Sequence, residues 1–121
     1  MSTIYRTVIT GVGDLAEGFL EHNMFITFKD NAPQELVDYC FIHDENNLVD
    51  YIEVNDILQI DGQQYLITGV GSLVNDNLRD LGHITYKFSG ETDASIAGTL
   101  YLEKKEVVPL NEGSIIKVIR N

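Results

Sequence analysis

The sequence holds one cysteine, two prolines and no tryptophan, and only 8 Lys and Arg stand against 19 Asp and Glu. A lone thiol, Cys40, forms no intrachain disulfide and assembles no cysteine-based zinc site. No apolar run approaches the ~20 residues that a membrane-spanning helix needs. Met1–Thr10 lacks the basic start and the apolar stretch of an export signal, so a reducing, cytoplasmic setting is expected. The scarcity of cations leaves a net charge of -11. Charge of that sign repels phosphate backbones and anionic headgroups, which sets nucleic acid and the membrane surface aside as partners. A basic protein partner is steered toward such a surface, most strongly at low salt, although acidity by itself also serves solubility. Also missing are a Walker loop, a Gly-x-Ser-x-Gly elbow, a His-Glu-x-x-His run and a Cys-x-x-Cys pair.

What is present points to strands. A chain of 121 residues with 44% hydrophobic content fits one domain, 1–121, large enough to bury a core. Tyr, Phe, Val, Ile and Thr recur in short alternating runs: Ile4–Thr10, Met24–Phe28, Tyr39–His43, Ile57–Ile60, Gln64–Val70, His83–Phe88, Gly98–Leu102 and Ile115–Ile119. Asp61-Gly62 between two of these runs predicts a type I′ hairpin. Leu73, Val74, Leu78 and Leu81 share one helical face, Ser72 stands where a cap is expected, and Gly82 stops the helix. Shorter helical turns are expected over Leu15–Glu21 and Gln34–Tyr39. Seven or eight short strands with one convincing helix predict an all-β fold, a closed or nearly closed barrel, with spacing alone leaving a sandwich open.

Few residues can carry chemistry. The three histidines, His22, His43 and His83, are too far apart in sequence to show ligand spacing. His43 ends an apolar run just before the polar turn Asp44–Asn47. At a strand end facing solvent, a neutral imidazole has one ring nitrogen free to attack phosphorus, while Asp44 or Glu45 fixes the tautomer. A surface histidine at a turn fits the same residues. His83, after Gly82, suits a second imidazole at the same phosphoryl group, or a cation capping the helix end. Both rings are then expected to line one accessible depression. Gly69-Val70-Gly71-Ser72 before a helix resembles an anion cradle with Gly71 and Ser72 at its mouth, and equally a tight strand-to-helix turn. Arg79 reads as a phosphate clamp or as the partner of Asp76 or Asp80. Cys40 reads as buried, on the face opposite His43.

Tyr39-Cys40-Phe41-Ile42-His43, with Gly69-Val70-Gly71-Ser72 running through Asp76-Asn77-Leu78-Arg79-Asp80-Leu81-Gly82-His83-Ile84-Thr85, resembles the glucitol/sorbitol-specific IIA component of the bacterial phosphotransferase system. The resemblance spans nearly the whole chain and weakens after Gly90. It implies a cytoplasmic β-barrel that accepts a phosphoryl group from the phosphocarrier HPr and passes it to a cysteine on the cognate IIB component of the sugar permease (IIB/IIC). The acceptor it implies is His43, with His83 as helper and with no metal or cofactor. Some members carry a further Cys-His after the acceptor, where this chain has Asp44-Glu45. The competing expectation is a non-catalytic barrel that binds a ligand or regulates a partner.

Overall fold

The computed structural model describes residues 1–121. Nine strands form in the order β1 (Ser2–Val12), β2 (Met24–Lys29), β3 (Phe41–His43), β4 (Asn47–Leu48), β5 (Ile57–Ile60), β6 (Gln63–Val70), β7 (Thr85–Lys87), β8 (Thr99–Leu102) and β9 (Ile115–Arg120). Two α-helices, α1 (Gln34–Val37) and α2 (Val74–Leu81), and a 3-10 segment over Ala16–His22 complete the chain. Eight strands pair around a ring, β3-β2-β7-β8-β6-β5-β9-β1 and back to β3, while β4 adds to β1 outside it. Two pairings, β2 with β3 and β7 with β8, are parallel and the rest antiparallel. The result is the nearly closed barrel expected from the strand pattern. Ring closure leaves few free edges, and about eight strands enclose a space that side chains can fill.

Alternation puts that filling in place. Leu58 and Ile60 of β5, Tyr65 and Ile67 of β6, and Ile116 and Val118 of β9 all point inward and are buried. Phe25 lies at the centre of the aromatic packing, stacked on Tyr86 at 4.5 Å and edge-on to Phe41 at 5.8 Å. Each such side chain stabilises the fold by about 1.5–3 kcal/mol relative to exposure. No helix is long and apolar enough to cross a membrane.

The Asp61-Gly62 hairpin takes the expected positive φ at both residues, 49° and 91°. Three local expectations change. Strand β1 runs on through Gly11 and Val12, because a register shift between Ile9 and Gly11 absorbs the glycine against β3. Leu73, not Ser72, is the cap residue of α2, and no side chain caps that end. The run from His83 enters the sheet only at Thr85, since the preceding residues are drawn across the end of the barrel.

That last change positions the site. Helix α2 ends at Gly82, in the left-handed conformation at φ 61°, over the place where β3 ends between β1 and β2.

Candidate functional site

His43 is the last residue of β3, paired in register with Ile9 of β1 and Lys29 of β2. Inward-facing residues alternate along β3, so Phe41 and His43 are buried and Ile42 only half so. The imidazole has no exposed surface. This corrects the expectation of a ring reaching into solvent: the strand end is covered by the turn that closes α2. The partners differ from those expected too. Neither Asp44 nor Glu45 holds a ring nitrogen, and Glu45 instead pairs with Arg6. Nδ1 lies 2.7 Å from the Thr7 hydroxyl, and Nε2 lies 2.7 Å from the Gly82 carbonyl oxygen.

Those contacts settle the tautomer. A carbonyl oxygen only accepts, so Nε2 carries the proton and donates to Gly82. Nδ1 then holds the lone pair and accepts from the Thr7 hydroxyl. The Asn46 amide N–H donates to the same hydroxyl oxygen at 3.1 Å, which leaves the Thr7 proton for His43. Burial pulls the His43 pKa below its ordinary value; the Gly82 hydrogen bond and the charges of Asp44 and Asp30 only partly oppose it. The ring is therefore neutral at physiological pH.

Gly82 is in place for two reasons. Its φ of 61° favours a residue without Cβ, and a Cβ there would stand 2.8 Å from His43 Cε1 and 2.9 Å from Nε2. The backbone lies directly against the imidazole. Thr27 of β2 holds this segment. Its hydroxyl donates to the Gly82 carbonyl at 3.1 Å, its amide N–H donates to the Ile84 carbonyl at 3.1 Å, and its own carbonyl accepts from His83 Nδ1 at 2.9 Å. His83 is half-buried and stacks on Phe28 at 4.4 Å between ring centroids. The Thr27 carbonyl fixes a proton on His83 Nδ1, and its Nε2 has no hydrogen-bond partner.

The His43 ring thus meets the Gly82 carbonyl while the His83 ring turns to the Thr27 carbonyl and Phe28, and the two rings do not bond each other. None of the three surface depressions is lined by either ring, contrary to the expectation of a shared one. Asn46, at φ 41°, ties the site together: besides its amide on Thr7, it accepts from the Tyr5 hydroxyl and donates to the Leu78 carbonyl of α2.

The expected phosphate cradle is not at this site. Gly71 and Ser72 lie at the opposite end of α2, about 12 Å away along an eight-residue helix. The Gly71 amide is bonded to the Thr99 carbonyl, and a Cβ at that position would come within 2.3 Å of the Ala97 oxygen. That glycine admits a neighbouring loop, and Ser72 stands exposed beside it. Arg79 is exposed and pairs with Asp80 at 2.9 Å and Asp76 at 3.3 Å. Cys40 is buried just ahead of β3, and burial pushes its thiol up to about 11, which makes it inert at neutral pH. His22 sits exposed at the end of the 3-10 segment. No three His, Cys, Asp or Glu side chains gather as metal ligands.

Thr7, Thr27 and Asn46 were not singled out from the sequence. Their roles arise from contacts 32 to 56 residues apart in the chain, and only the turn-forming habit of Asn gave a local signal.

The eight-stranded ring has a counterpart among solved structures. The crystal structure of a phosphotransferase-system IIA component from Enterococcus faecalis superposes with a TM-score of 0.82 at 25% identity, covering 95% of this chain and 99% of that one. The class of protein this fold resembles is a IIA component of a phosphotransferase system. The particular family follows from sequence. The profile of the "PTS system glucitol/sorbitol-specific IIA component" matches residues 4–117. Glucitol/sorbitol-specific EIIA components of Shigella flexneri and Escherichia coli (strain K12) are each 37% identical over 117 residues, covering 97% of this chain and 95% of theirs. The chain belongs to the glucitol/sorbitol-specific IIA family.

Proposed function

We propose that this chain is a cytoplasmic phosphocarrier that accepts a phosphoryl group from HPr on His43 and passes it to the cognate IIB component during glucitol/sorbitol uptake. The observation that carries this reading is the neutral His43 imidazole, fixed in one tautomer under the Gly82 turn, in a chain of a phosphotransferase family. A neutral ring has the lone pair that attack on phosphorus requires.

The geometry also supports a choice of nitrogen. Thr7 belongs to the middle of β1, paired with β9, and is immobile cover for Nδ1. Gly82 lies outside the strands, at the end of a short helix, and is the cover that can withdraw. Reaction at Nε2 therefore requires the Gly82–His83 peptide to turn its carbonyl away from the ring. Nε2 first gives up the proton it donates to Gly82 while Nδ1 gains one. The pair freed on Nε2 then forms the new N–P bond, and the N–P bond of the donor phosphohistidine breaks with its pair returning to the donor nitrogen. Each ring keeps one N–H proton, so positioning and charge stabilisation suffice. His83, the residue after Gly82, is the helper that would donate to the oxygens of the group in flight.

A second reading has an observation of its own. His83 Nε2 has no hydrogen-bond partner and its residue is half-exposed, whereas both nitrogens of His43 are engaged, as in a structural histidine. Intact-mass analysis after incubation with phosphoenolpyruvate, enzyme I and HPr separates the two. The expected result is one acid-labile phosphoryl group, abolished by His43→Ala and only slowed by His83→Ala. Loss of labelling in His83→Ala with full labelling in His43→Ala transfers the acceptor role to His83. An unlabelled wild-type protein, under conditions that label another IIA protein, leaves a non-catalytic barrel.

A further inference from the structure

Thr7 occupies a fully buried position in the middle of a strand. Valine has nearly the same shape and would pack there equally well, without bringing a hydroxyl into the interior. The hydroxyl has two partners, the Asn46 amide at 3.1 Å and His43 Nδ1 at 2.7 Å. A hydroxyl offers one donor and two acceptor lone pairs, and its proton rotates to suit.

We propose that Thr7 is a positioning residue that holds the His43 ring in both of its neutral tautomers, reversing the direction of one hydrogen bond when the ring becomes a nucleophile. The proposal rests on the reading of His43 as the acceptor. In the closed arrangement, Nε2–H donates to the Gly82 carbonyl and the Thr7 hydroxyl donates to Nδ1. When the Gly82 carbonyl withdraws, the Nε2 proton passes to solvent and, in a transient swing of the uncovered ring, Nδ1 takes one from solvent, so the ring returns neutral. Nδ1–H then donates to Thr7 Oγ1, which accepts from Nδ1 and from Asn46 with its two lone pairs. Thr7 and the ring hold the same heavy-atom positions in the two end states. The freed lone pair on Nε2 points to where the Gly82 carbonyl stood, and that direction is the approach of the phosphoryl donor. A backbone carbonyl in place of Thr7 would hold one tautomer only, as Thr27 does for His83.

The test compares wild type, Thr7→Ser and Thr7→Val in single-turnover labelling by phosphorylated HPr, with melting curves to confirm folding. Thr7→Val, which cannot accept from Nδ1, is expected to slow transfer by about tenfold, the worth of one hydrogen bond at the ring, with its dependence on HPr concentration unchanged. Thr7→Ser is expected to recover most of that rate. Nitrogen-15 spectra of the wild-type imidazole give a readout independent of any variant: the proton on Nε2 in the unmodified protein and on Nδ1 in the phosphoprotein. A folded Thr7→Val protein that transfers at the wild-type rate, a serine variant as slow as the valine one, or a proton on Nδ1 before phosphorylation overturns the proposal. Labelling that survives His43→Ala removes the acceptor reading instead, a result distinct from all of these.

Discussion

At His43, burial and hydrogen bonding act on one proton, and the balance shows in stability. The ring is folded away neutral, with its pKa held below the ordinary value mainly by the loss of water around it. The unfolded chain binds a proton near pH ~6.5, and the folded ring resists it to lower pH. This contribution to stability is therefore complete above the unfolded value and is lost as pH falls through the folded one. Unfolding free energy measured in urea at pH 8 and again below pH 6 is expected to fall, and to fall less in His43→Gln, which has no proton to gain. An equal fall in the variant would mean that the loss comes from other groups. His43 stood out as a candidate chiefly through the family resemblance, because a histidine closing an apolar run before a polar turn fits a surface turn equally well. Its burial was not legible, since the cover comes from Gly82, 39 residues away, and nothing in Tyr39–Asn47 encodes that approach.

The end of α2 is the element that decides access to the ring. Gly82 was readable as a helix stop from its place after Leu81, and the structure gives it the left-handed conformation that a stop requires. What could not be read was that the same glycine touches an imidazole, because that contact exists only once β3 is set between β1 and β2. The two duties can be separated experimentally. In Gly82→Ala, positive φ costs roughly 1–2 kcal/mol, and the new Cβ pushes into the His43 ring at 2.8 Å. Gly62→Ala, in the β5–β6 hairpin, bears a comparable backbone cost at φ 91° with no atom within 4 Å of the new Cβ. Both variants are expected to melt earlier, but only Gly82→Ala should change the rate of phosphoryl labelling. Equal rates in the two would show that the turn is a helix stop and nothing more. The expected cradle at Gly71-Ser72 failed for a related reason: a Gly-x-Gly before a helix serves close backbone approach as readily as anion binding, and only the loop at Ile96–Ala97 tells which.

Across the whole molecule, the excess of carboxylates acts on two observables in opposite directions. Of the 8 Lys and Arg, Arg6, Arg79, Lys87 and Arg120 are already paired with acidic side chains. The remaining negative charge repels itself over a barrel whose ring closure forbids expansion short of unfolding. Screening shortens the reach of that repulsion from ~30 Å at 0.01 M salt to ~8 Å at 0.15 M. The exposed ion pairs weaken as well, but each is worth little, so the melting temperature is expected to rise over this range. If the proposed phosphoryl donor docks through a basic face, that long-range attraction is screened by the same ions, and the second-order labelling rate is expected to fall while stability climbs. A rate that rose in parallel with the melting temperature would mean that salt acts through folding alone, and that the acidic surface serves solubility without guiding the partner.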